Sequence, residues 1–268
     1  MSLATSFQTP FGDAAPLAAP DRVPAVTPEF WLIKLMAVTM GETAADYLAV
    51  NLGLGLPATS LLMAAGLCAV MAWQTELRRY VPAPYWMAVV LISVVGTLVT
   101  DNLVDNLGVS LVTSTVAFTI LLGATFWAWH RLEGTLSIHE VKTDRREMFY
   151  WLAILFTFAL GTAVGDLVAE KVGLGYLATG LLFGLVIAAV AFAFYALKMN
   201  AVLAFWLGYI FTRPLGASFG DLLSQPREYG GLGWGTTITS LVFLLVIAGT
   251  VAALTLTGRD RDEPGDTA

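Results

Sequence analysis

The chain has 268 residues, of which 57% are hydrophobic and only 13% charged, and its mean hydropathy is +0.74. Soluble domains carry roughly 25% charged residues, so a water-soluble globule is excluded, as are a collagen and a disordered chain. The single cysteine, Cys68, excludes an internal disulfide framework or a cysteine metal cluster, and the formal charge of −6 has to be located along the chain before it means anything.

In chain order, residues 1–28 are proline-rich and polar and read as a flexible tail, with no apolar region of a cleavable signal before the first span. Eight segments then carry the roughly 20 apolar residues that a membrane helix needs, at 30–50, 56–76, 85–106, 110–131, 148–170, 175–198, 201–223 and 234–257. The alternating ten-residue segments of a transmembrane barrel are missing. The expected organisation is a first membrane half at 29–131, a basic loop at 132–147, a second half at 148–257 and a charged tail at 258–268. Cys68, in an apolar run, is expected to be buried. Lys34, in the first turns of its helix, is expected to snorkel to the headgroups. Trp73, Trp86, Trp151 and Trp234 fall near span ends and read as interface anchors.

Orientation follows from the basic residues of the short loops. The N-terminal tail, the even-numbered connections and the C-terminal tail hold ten: Arg22, Arg78, Arg79, Arg131, Lys142, Arg145, Arg146, Lys198, Arg259 and Arg261. The odd connections hold two, Lys171 and Arg227, which places both termini in the cytoplasm. The remaining two, Lys34 and Arg213, lie inside spans with seven acids: Glu42, Asp46, Asp101, Asp105, Asp166, Glu170 and Asp221. The membrane helices therefore carry −5 of the −6. Nothing in this charge points to nucleic acid.

The odd spans repeat one pattern, GETAAD (41–46), GTLVTD (96–101), GTAVGD (161–166) and GASFGD (216–221). A second glycine follows at Gly53, Gly108, Gly173 and, after a five-residue insertion, Gly233. Six residues beyond that glycine stands a hydroxyl, at Thr59, Ser114, Thr179 and Thr239. Each unit reads as helix, glycine turn, helix. The aspartates are 55, 65 and 55 residues apart, as two successive duplications would leave them. A two-helix unit returns the chain to its starting side, so all four run parallel about an axis along the membrane normal. Their aspartates should share one depth, about 10 Å below the outer helix ends.

With these motifs, above all TRPLGASFGDLL (212–223) and GGLGWGTTITS (230–240), the chain resembles the bacterial integral membrane proteins built from four copies of a two-helix repeat of unknown function. The similarity covers about residues 27–257. It implies the repeat architecture and the bacterial cytoplasmic membrane. It supplies no substrate and no functional residue.

Acids near a helix centre cost about 2.5–3.5 kcal/mol each on insertion scales, so seven of them must face inward. Asp101 with Asp105, and Asp166 with Glu170, share a helix face four residues apart; Glu42 lies four before Asp46, and Gln225 takes the acid's place in the fourth unit. Carboxylates, an amide and hydroxyls suit a hard cation such as magnesium, calcium or manganese. The expected function is a transporter of a divalent metal such as manganese, with proton or sodium coupling open. Its ion site comprises Glu42, Asp46, Asp101, Asp105, Asp166, Glu170, Asp221, Gln225 and Arg213, and Asp46, Asp101, Asp166 and Asp221 are the metal ligands. Arg213 is either a counter-charge or a snorkelling side chain. A cation channel with an acidic ring and a scaffold whose acids hold helices together are the alternatives. Catalysis is not expected: the elbow-like Gly216–Gly220 stretch lies in a helix, and its nearest histidines, His130 and His139, fall at the other end. The expected partners are the lipid bilayer and a small cation, with no cofactor and no nucleic acid; homo-oligomers stay open.

Overall fold

The computed structural model describes residues 20–257. They form eight long helices: α1 Pro28–Asp46, α2 Leu56–Leu77, α3 Pro82–Asp101, α4 Leu111–Glu133, α5 Asp144–Asp166, α6 Tyr176–Tyr195, α7 Ala201–Ser224 and α8 Gly235–Thr257. No strand occurs among the described residues. The eight expected segments coincide with these helices to within about one turn once the π-helical turns Tyr47–Asn51, Asn102–Asn106 and Leu167–Lys171 are joined to α1, α3 and α5. Those turns follow Asp46, Asp101 and Asp166 directly. The turn glycines Gly53, Gly108, Gly173 and Gly233 all have φ between 66° and 81°, the left-handed region where a side chain would be strained.

The odd helices form the core. α1, α3, α5 and α7 pack in a closed ring in that order, α1 completing it against α7. The second helix of each unit leans on the first helix of the next: α2 on α3, α4 on α5, α6 on α7 and α8 back on α1. The segments 29–131 and 148–257 therefore share one continuous core.

One close approach repeats around the ring. A Cβ added at Gly41 would collide with Ser93, at Gly96 with Phe158, at Gly161 with Arg213 and at Gly216 with Val38. The four partners are themselves equivalent, each three residues before its own glycine. Equivalent residues meeting at every step show that the core helices run parallel, and small residues let their backbones approach.

Six helices are long and apolar enough to cross a membrane; α1 and α7 are the other two. α1 carries Glu29, Lys34, Glu42 and Asp46, and α7 carries Arg213, Pro214 and Asp221. Of these, Lys34, Glu42, Arg213 and Asp221 are buried in the core, and most of the exposed apolar surface belongs to the outer helices, with Leu61, Ile120, Leu185 and Leu245 exposed. Cys68 is exposed on α2, against the expectation of burial. In a membrane helix an apolar run is as well suited to lipid as to an interior.

At the end opposite the aspartates, residues 20–27 dock on neighbouring loops, whereas the rest of the expected N-terminal tail and all of 258–268 lie outside the described residues. The Arg22 amide donates to the Val141 carbonyl at 3.1 Å, and the Tyr80 amide to the Asp21 carbonyl at 2.8 Å. The buried Arg22 guanidinium pairs with Glu147 and Asp144, both at 2.6 Å. Within the 132–147 loop, Arg146 pairs with Glu133 at 2.8 Å and Glu140 at 3.1 Å. His130 and His139 are exposed.

Candidate functional site

The centre of the ring is polar, and Arg213 organises it. The side chain is fully buried. Its Nη2 donates to Glu42 Oε2 at 3.0 Å, to Thr162 Oγ1 at 2.7 Å and to the Thr97 hydroxyl. Nη1 donates to the Val38 carbonyl at 3.1 Å and Nε to the Phe158 carbonyl at 3.3 Å. Thr97 in turn donates to Glu42 Oε2 at 3.1 Å. From α7, one guanidinium touches α1, α3 and α5. Arg213 is thus a counter-charge, not a snorkelling side chain, and the glycine at 161 gives its stem room.

Glu42, Thr97 and Thr162 are equivalent, each directly after the glycine of its repeat; the fourth repeat has Ala217 there. The repeat thus delivers three acceptors to one level, and the position equivalent to Val38, Ser93 and Phe158 delivers the cation. A buried ion pair is favourable only when further hydrogen bonds satisfy its remaining atoms. The threonines and carbonyls do this.

One turn beyond lie the aspartates. Asp221 is buried, Asp46, Asp101 and Asp166 are half-buried, and Asp105 and Glu170 are exposed. These acids interact electrostatically with one another and with Glu42: Asp46 with Glu42, Asp105 and Glu170, Asp101 with Glu42, Asp46 and Asp105, and Asp221 with Glu42, Asp166, Asp46 and Glu170. Arg213 acts on Asp101 and Asp166. The Gln225 amide lies 3.5 Å from Asp46 Oδ2. Carboxylates therefore run from the exposed end of the bundle inward to the Glu42–Arg213 pair. They do not form a finished coordination shell: among the described residues, no group of three or more His, Cys, Asp or Glu side chains is placed to hold a metal ion.

The hydroxyls behave differently from the acids. Thr59, Ser114, Thr179 and Thr239 are all buried, yet Thr239 donates to the Gly235 carbonyl at 2.8 Å and the other three have no hydrogen-bond partner. None donates to an aspartate among the described residues. Ser218 is buried in α7 and likewise unpartnered. Tyr176, absent from the sequence-derived site, interacts electrostatically with Glu170, Asp221, Asp166 and Asp46. It opens α6 directly after a turn glycine, so its position was legible but its reach was not.

The other end of the core carries a second repeat feature. Phe30-Trp31, Tyr85-Trp86, Tyr150-Trp151 and Phe205-Trp206 stand at the same 55, 65 and 55 spacing as the aspartates. Each first ring packs on the next unit's tryptophan: Phe30 on Trp86 at 5.5 Å, Tyr85 on Trp151 at 5.3 Å, Tyr150 on Trp206 at 6.3 Å and Phe205 on Trp31 at 5.7 Å between centroids. The Tyr85 and Tyr150 hydroxyls are hydrogen-bonded to each other. Trp86 and Trp151 are therefore core residues, correcting the expectation of interface anchors; Trp73 and Trp234 are exposed. Lys34 is also corrected. It is fully buried between this aromatic collar and Arg213, held by α7 instead of reaching the headgroups.

Fold and site together define a helical membrane-type protein built from four cyclically packed two-helix repeats around a charged core. The chain belongs to the family described as Repeat of Unknown Function (DUF347), which matches it at residues 30–80, 84–135, 149–200 and 204–260. These four matches follow the hairpins. No curated protein and no solved structure matches the chain.

Proposed function

We propose that this protein is a membrane carrier for a small inorganic cation, a hard divalent ion of the magnesium–manganese class, in the bacterial cytoplasmic membrane. The observation that carries the reading is the continuous run of carboxylates from exposed Asp105 and Glu170 through the aspartates to buried Glu42. Intramembrane acids that face a bundle interior mark ion or proton pathways. Because no closed shell is assembled, the ion enters with part of its hydration, which magnesium-like ions keep readily. Asp46, Asp101, Asp166 and Asp221 are its direct ligands in this reading. Arg213, the Thr hydroxyls and the aromatic collar fill the core along the axis, which favours a carrier over an open channel.

In this reading α1 and α7 span the membrane with the other six, their charges shielded by the ring. Both termini are cytoplasmic and the aspartates lie toward the outside, as the ten-to-two basic bias directs. Reporter fusions after residues 80 and 140 should then read cytoplasm and one after 228 the outside; a cytoplasmic signal at 228 would reverse the assignment.

The transport reading is tested with the purified protein in vesicles containing a divalent-sensitive dye. The wild type should admit Mn²⁺, and Asp101→Asn and Asp166→Asn should abolish entry while folding normally. Wild-type rates in both variants would sink the carboxylate site.

A further inference from the structure

One buried charge is left without a part in this scheme. Lys34 Nζ donates to the Tyr209 carbonyl at 2.8 Å and to the Thr212 hydroxyl. It also lies 4.3 Å from the centre of the Tyr209 ring and 5.5 Å from that of Phe158. The side chain thus reaches from α1 to α5 and α7 and crosses the core between the aromatic collar and Arg213. Its equivalents in the other repeats are Val89, Ile154 and Tyr209, all buried. A single ammonium group sits in a layer that is otherwise apolar or aromatic.

No carboxylate forms an ion pair with Lys34 among the described residues, and the charged neighbour that acts on it is Arg213, of the same sign. The titratable groups around it are Tyr209 and Arg213 on α7, with Tyr85 of α3 and Tyr150 of α5 interacting with Tyr209; α8, packed on α1, carries no titratable side chain. Arg213 and Lys34 therefore differ in kind. Arginine keeps its proton under all physiological conditions, and Arg213 has Glu42 as a counter-charge. Lysine can exchange its proton when buried. The two oxygen acceptors of Lys34 match the two N–H bonds of a neutral amine, while the third N–H of the ammonium form faces rings, which favour the cation. The site accommodates both states.

We propose that Lys34 is the proton-exchanging residue of the carrier, a proposal that rests on the transport reading above. A cation moving inward past the acids meets two fixed positive charges on the axis. With the carrier open to the side from which the ion arrives, Lys34 Nζ releases one proton to water on that side, which removes one of these charges as the ion is admitted; with the carrier open to the other side, a proton from that side rebinds after the ion leaves and restores it. Cation movement is thereby tied to proton movement in the opposite direction. Lys34 acts through charge on the path and does not ligate the ion.

The experiment uses the full-length protein in vesicles with a divalent-sensitive dye and, in parallel, a trapped pH dye, with Mn²⁺ as the probe. The wild type should show Mn²⁺ entry accompanied by proton exit, with entry accelerated by an outward proton gradient. Lys34→Met and Lys34→Gln, which remove the exchangeable proton, should lose the pH signal and the dependence on the gradient even where Mn²⁺ still enters. Lys34→Arg, permanently charged, should reduce Mn²⁺ entry to that of empty vesicles. Mn²⁺ entry by the wild type with no proton movement overturns the proposal without any variant, and so does an unchanged proton-to-cation ratio in Lys34→Met or Lys34→Gln. Absence of Mn²⁺ entry in the wild type, with the protein folded, overturns the transport reading itself, and the Lys34 proposal falls with it.

Discussion

The two ends of the four-helix core are built on the same register and reach opposite results. At one end, four aromatic pairs close on one another, each ring against the tryptophan of the next repeat. The rings of these pairs have partners from the protein. At the other end, four aspartates arrive at one level and have mostly each other for neighbours. Cyclic packing satisfies groups that attract their own kind, as aromatic rings do. It cannot satisfy groups that repel their own kind, and in the transport reading proposed above a cation supplies the acidic end with its partner. Between the two ends the symmetry is broken on purpose of charge: Glu42, Lys34 and Arg213 are each present in one repeat out of four.

That contrast can be broken most severely at its midpoint. Arg213→Met leaves Glu42 buried and unpaired, and it should lower unfolding free energy by about 3–5 kcal/mol. Adding Glu42→Met should recover much of that loss, as thermal unfolding in detergent would show. A failure of the double variant to recover would mean that Thr97 and Thr162 depend on the guanidinium more than Glu42 does.

A smaller effect is expected at the helix contact on which both ends rely. In Gly96→Val the new side chain meets Phe158 Cβ and the Ala159 amide, forcing α3 and α5 apart; overpacking of this kind costs about 1–3 kcal/mol. The closed end should respond more weakly still to loss of a single polar atom. Tyr150→Phe removes the hydrogen bond to Tyr85 and should cost about 1 kcal/mol in the same unfolding assay.

The open end should respond least in stability and most in function. Asp101→Asn and Asp166→Asn remove like charges from a crowded end, so the melting temperature should stay constant or rise. A drop comparable with that of Arg213→Met would show that the aspartates hold the bundle together and would favour the scaffold reading.

Much of the architecture is legible in the residues alone. Runs of about 20 apolar residues mark the helices because a bilayer requires that length. The recurring Gly…Asp…Gly pattern marks four parallel hairpins, because a left-handed turn needs glycine and a two-helix unit returns the chain to its starting side. The inward facing of Glu42 and the four repeat aspartates follows from the cost of exposing acids to lipid, whereas Asp105 and Glu170, expected to face inward with them, are exposed because they lie one turn nearer the helix ends. The tertiary structure alone decided which helices are inside. In lipid, an outward face and a core face are both apolar, so hydrophobic pattern cannot separate α2 from α3 or place Cys68 and Trp86. It also decided that each second helix leans on the next repeat, since the partner of a hairpin arm depends on packing between distant segments. Lys34 shows the limit most clearly. Its position near a helix end suggests a side chain bound for the headgroups, but Tyr209 and Thr212, some 175 residues later in the chain, draw it into the core.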